Sequence, residues 1–193
     1  VKALSVSRFN ALWLVLMAVM MATRFKHFGD MLHLPDASMA IFFLGGLYLR
    51  HHWTFVVMVL LAVALDWVSI SYAGVSDFCI TLAYSFLPLA YAVLWYAGRW
   101  YAPRMTGRAM SYLAAFIVAL LAAIGSFAIS NGSFYWLGGR YANPHMSEYV
   151  ARLWQWGPLF VRTTISYVAV ALVLQAVVSR VVASTNGHEK ARA

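Results

Sequence analysis

The stretch LLAVALDWVSISYAGVSDFCITLAYSFLP, residues 60–88, decides how the chain is read. Two strongly apolar runs flank the short link AGVSD, residues 73–77. This pattern predicts the end of one membrane-spanning helix, a tight turn and the start of the next. Asp66 lies inside the first run, and Cys79, the only cysteine, opens the second. An ionisable group at membrane depth is costly and by default marks a ligand, an ion path or a buried pair. A thiol that has lost its proton binds soft or borderline metals directly.

Working outward, composition sets the class. Of 193 residues, 63% are hydrophobic and only 10% charged, far below the charge of soluble domains. The chain reads as an all-α integral membrane protein. Six apolar segments run from Phe9 to Thr23, Ala37 to Leu49, Trp53 to Tyr72, Phe78 to Ala97, Ala109 to Ser130 and Gly157 to Ala183. A spanning helix needs about 20 apolar residues, which the last four segments meet. The first two are short, and the second could be re-entrant. They count as spans because Gly45 and Gly46 permit close helix packing and the loops then fit the charge rule. Residues 1–183 therefore form one six-helix transmembrane domain, and residues 184–193 a short polar tail. The first segment resembles a signal-peptide core, but Arg24, Lys26 and the missing small-x-small cleavage pattern argue against one.

One cysteine excludes an intramolecular disulfide framework. The formal net charge of +8 would suggest nucleic acid in a soluble protein. Here its placement suggests topology and anionic lipid headgroups, with no nucleic acid partner. With the amino terminus in the cytoplasm, the inner side holds Lys2, Arg8, Arg50, Arg99, Arg104, Arg108, Arg180, Lys190 and Arg192. The outer side holds Arg24, Lys26, Arg140 and Arg152, while Arg162 lies inside the last span. That bias places both termini inside.

In this topology Asp66 lies about 9 Å below the outer end of the third span. Asp77, Cys79 and Tyr84 fall in the outer third of the fourth. A 26-residue outer loop, 131–156, contains FYWLGGRYANPH and SEYVARLWQWGP. Asp66, Asp77, Cys79, Tyr84, Arg152 and a set of aromatics thus converge on an outward-facing polar pocket.

Each member also has a plain structural role open to it. Cys79 could be a small apolar filler. Asp66 must be protonated, paired or wet, and Ser69, Arg152 and Arg162 are its candidate partners. Asp77 could cap the fourth helix. Tyr84, five residues after Cys79, sits about 140° around a regular helix, so only a broad ligand or a distorted helix start lets both touch one molecule. Pro88 makes such distortion plausible, because it leaves the Tyr84 carbonyl without its helical donor. Tyr149, Arg152 and Trp156 share a stripe that reads as an interfacial anchor or as a lid. His27, His33 and His145 lie outside at no metal-binding spacing, and His51 and His52 lie at the inner side. No nucleophile elbow, phosphate loop or paired CxxC occurs. Ala18 and Ala22 form a small-xxx-small pair in the first span, a pattern that lets another helix approach.

Together these features resemble the BtuM-type cobalamin-specific S-component of energy-coupling factor (ECF) transporters. The resemblance rests on six spans in under 200 residues, both termini inside, the alanine pair and the cysteine within DFCITLAYS. It implies a bacterial inner-membrane protein that binds cobalamin in an outward pocket and mediates its uptake. It further implies Cys79 as a thiolate ligand of the corrinoid cobalt, with loss of cyanide as a possible consequence. Pocket positions would match Asp66, Tyr84 and Arg152, with Asp77 beside them, and Ala18 and Ala22 would dock on a coupling subunit. Energy would come from ATPases recruited from elsewhere, or from none. Three alternatives stay open: an S-component for another vitamin or metal ion, a membrane thiol enzyme acting on corrinoids, and an assembly subunit without a small ligand.

Overall fold

A computed structural model describes residues 6–24 and 34–190. Lys2, Lys26, His27, His33 and Arg192, used above in the charge and metal arguments, lie outside the described residues. Among the described residues six α-helices follow one another: α1 Val6–Arg24, α2 Ser38–Tyr48, α3 His52–Tyr72, α4 Leu87–Tyr101, α5 Ala109–Leu137 and α6 Met146–Lys190. Short 3₁₀ turns cover Asp77–Cys79, Leu82–Phe86 and Ala102–Arg104. No strand occurs among the described residues.

Four helices, α1, α3, α5 and the Met146–Val181 part of α6, are long and apolar enough to cross a membrane. Their outward faces carry Leu14, Leu60, Leu121 and Val173, each more than half exposed. Apolar display on that scale suits hydrocarbon and not water, so this is a membrane protein. The α2 and α4 helices are shorter, 11 and 15 residues, or about 16 and 22 Å against a hydrocarbon core of about 30 Å.

The short α2 is the centre of the bundle. Ser38 and the run Ala40–Leu47 are all buried, and the helix touches each of the other five. Its closest neighbour is α4, and the reason is glycine. A Cβ on Gly46 would collide with the Trp95 carbonyl, and one on Gly98 with the Phe43 carbonyl. Both backbones can approach only because these Cβ atoms are missing. The Phe42 ring then stacks on Tyr91, 4.1 Å between centroids.

Three boundaries differ from the sequence expectation. The fourth apolar segment, expected as a helix from Phe78, is 3₁₀ and extended backbone until Leu87. Thr81 is fully extended (φ −136°, ψ 179°), and Pro88 falls in the first turn of α4, where its missing N–H has no partner to lose. Cys79 therefore does not open a helix. Most of the expected outer loop is helical as well, because α5 runs on to Leu137 and α6 begins at Met146, leaving 138–145 as the connection. Finally, α6 continues through residues 184–190 of the expected tail.

Candidate functional site

The helices alternate in direction, which gathers Arg24, Asp36, Asp66, Cys79, Tyr84 and Arg152 at one end of the bundle. Asp66 sits nearly two turns below the end of α3 and is fully engaged. Arg24, in the last turn of α1, donates from Nε to Asp66 Oδ1 at 2.7 Å and from Nη2 to Oδ2 at 2.6 Å. The Tyr84 hydroxyl donates to the same Oδ2 at 2.7 Å. Arg24 Nη1 reaches the Tyr91 hydroxyl at 2.7 Å, Ser38 Oγ at 3.0 Å and Asp36 Oδ2 at 3.3 Å. Ser38 Oγ in turn donates to Asp36 Oδ1 at 2.6 Å.

This two-pronged pairing corrects the sequence reading of Asp66, whose candidate partners were Ser69, Arg152 and Arg162. Arg24 was read only as a topology charge, yet its side chain is 10% exposed and ties α1, α2, α3, α4 and the Tyr84 turn together. A fork-to-fork guanidinium–carboxylate pair has the geometry that makes such a contact strong. With Asp66 matched so closely, Asp36 at 3.3 Å is the less compensated acid, and its side chain is 47% exposed.

Cys79 is a free, exposed thiol. Its turn is fastened on both flanks. On one side Phe78 packs against Phe134 of α5, 5.6 Å between ring centroids, and under the Arg140 guanidinium at 4.8 Å. Arg140 Nε also donates to the Phe78 carbonyl at 3.2 Å. On the other side Tyr84 is held by Asp66. Asp77 is exposed and caps nothing, because the turn is capped by Ser76 Oγ, which accepts from the Phe78 N–H at 3.2 Å.

Arg152 is not part of the Arg24 network. Its guanidinium lies over Tyr141 at 4.9 Å and near Tyr135 at 6.0 Å. The Tyr135 hydroxyl accepts from the His145 N–H and donates to Glu148 Oε2, both at 2.8 Å. Tyr149 stacks on Tyr135 at 5.6 Å, so the stripe expected as an anchor or lid is packed on α5 along part of its length. On α1, Ala18 is exposed and Ala22 half-buried.

No protein-family model matches the chain, and no curated protein matches it.

A cavity of about 290 Å³ adjoins the network, lined among others by Asp36, Met39, Tyr91, Ser126, Ser130 and Phe160. Ser130 is one helical turn below Phe134, so the cavity lies about 6 Å beneath the level where the Cys79 turn meets α5. Cys79, Asp66, Tyr84 and Arg152 are not among its lining residues. Its volume lies at the lower end of the ~300–1,000 Å³ typical of small-molecule sites. A second, predominantly apolar groove of about 470 Å³ runs between α1, α2 and α6. No group of three His, Cys, Asp or Glu able to hold a metal ion occurs among the described residues.

Proposed function

We propose that the chain is a substrate-binding membrane subunit of the S-component kind, which takes up cobalamin at the end of the bundle that carries Cys79. In this reading all six helices are membrane segments of a bacterial inner membrane and both termini face the cytoplasm. The observation that supports it best is the setting of the thiol. Cys79 is exposed on irregular backbone, yet the residues on either side are fastened by Arg140 and Phe134 and by Asp66. A fixed, accessible sulfur is what an incoming metal centre needs.

Cobalt(III) of cyanocobalamin would be met by ligand substitution. A sulfur–cobalt bond forms, the cobalt–cyanide bond breaks, and cyanide leaves with the thiol proton as hydrogen cyanide. No electron changes hands, and the positive metal favours the thiolate. In this reading the nucleotide base, a cobalt ligand in free cyanocobalamin, would also leave the metal, its position passing to water. Arg152 and the tyrosines around it would contact the periphery of the corrinoid, while Asp66 and Tyr84 hold the thiol turn. Exposed Ala18 with Ala22 would be the docking face for a coupling subunit, if ATPases drive the cycle.

The test is the visible spectrum of protein purified from cells grown with cyanocobalamin, beside Cys79→Ser. A bound corrinoid whose spectrum shifts in the variant is the expected result. An identical spectrum in both would remove the thiolate contact and leave the carrier. The small cavity volume favours a second reading, a carrier for a smaller vitamin, and complete absence of a corrinoid would select it.

A further inference from the structure

Buried polar atoms in folded proteins are nearly always hydrogen-bonded, and each exception calls for a cause. Six such side-chain atoms lack a partner among the described residues: Trp13 Nε1, Ser69 Oγ, Thr81 Oγ1, Trp95 Nε1, Asn131 Oδ1 and Arg152 Nε. The two indoles belong to the body of the bundle. The other four lie at the Cys79 end, and three of them border one stripe of α5. Asn131, Tyr135 and Gly138 follow at spacings of four and three, which places them on one helical face. Arg152 lies beside Tyr135. Thr81 Oγ1 is the side-chain atom closest to where a Cβ on Gly138 would sit, 3.4 Å away. The stripe covers about 10 Å of helix, and Thr81 is two residues from Cys79.

The chemistry of the three atoms is selective. Asn131 Oδ1 can only accept, Arg152 Nε can only donate, and the Thr81 hydroxyl can do either. A carboxylate would satisfy Arg152 and repel Asn131 Oδ1. An ammonium group would do the reverse. An uncharged primary carboxamide offers an N–H donor and a carbonyl acceptor together.

We propose that Thr81, Asn131 and Arg152 form a subsite for uncharged carboxamide groups beside the Cys79 thiol. The ligand class rests on the cobalamin reading, since a corrinoid carries a rim of such amides. The arrangement leaves these polar atoms without partners in the ligand-free protein and pairs them when the ligand arrives.

This predicts effects of opposite sign on stability and on binding, which a structural role does not give. Thr81→Val and Asn131→Leu keep shape and remove the orphaned atoms. In detergent without ligand, each variant should melt at the parent temperature or above it, because a lost orphan carries no lost bond. Titrated with cyanocobalamin, each should bind about fivefold to tenfold more weakly, and the Cys79-dependent spectral change should persist. A lowered melting temperature, or unchanged affinity in both variants while the parent binds, would overturn the subsite and leave the cobalamin reading standing. A parent that binds no cyanocobalamin would overturn the corrinoid reading and the assigned ligand class together.

Discussion

Two groups of polar side chains share the Cys79 end of the bundle. Around Arg24, three Arg24 nitrogens, both Asp66 oxygens and the Tyr84 hydroxyl have partners within 2.7 Å. Along the Asn131–Gly138 face of α5, by contrast, Thr81, Asn131 and Arg152 each keep a buried atom without a partner. Inside a low-dielectric bundle a complete network rigidifies its surroundings, and an incomplete one costs stability. The first group therefore holds the architecture together, and the second is the group we propose to be completed by a ligand. The Cys79 turn lies between them, tied to the first through Tyr84 and facing the second through Thr81.

The comparison breaks most easily at its two arginines. Arg24→Ala leaves the half-buried Asp66 without its cation and should cost about 3 kcal/mol, read as thermal unfolding in detergent or as loss of extractable protein. Arg152→Ala removes stacking on tyrosine rings and should cost about 1 kcal/mol. Equal losses would erase the distinction. Next comes Tyr84→Phe, which deletes one hydrogen bond to a charged acceptor and should destabilise by about 1.5–3 kcal/mol. Gly46→Ala sharpens the contrast from outside both groups. Forcing a methyl against the Trp95 carbonyl should cost about 1–3 kcal/mol, with ligand affinity of the folded fraction unchanged. The smallest effect is Thr81→Val, a gain of less than about 1 kcal/mol in the ligand-free protein, opposite in sign to Tyr84→Phe three residues further along the chain.

Much of the helical framework was legible because apolar runs report transfer into hydrocarbon. The first three expected segments match α1, α2 and α3 to within three residues at every boundary. Hydropathy says nothing about backbone conformation, and that is where the reading failed. Phe78–Phe86 is apolar enough to be taken for helix, yet Thr81 is extended, and Pro88 was the available sign that the helix begins late. Residues 131–137 and 146–156 looked like loop because glycine, serine and charged residues interrupt them, but packing of Tyr135 against Tyr149 holds both as helix. Asp66 was recognisable as a residue needing a partner. Its partner was not, because Arg24 is 42 residues away; a cation at the same end of a neighbouring apolar segment was the signal that could have found it.

Cys79 carries the proposed contact with cobalt. The most direct measurement is the rate at which a maleimide alkylates Cys79 in purified protein, with and without saturating cyanocobalamin. An exposed thiol predicts ready labelling of the free protein and near-complete protection by the corrinoid, reversed when the corrinoid is washed out. Equal labelling rates in the two samples would contradict a cobalt–sulfur contact and with it the central role given to this turn.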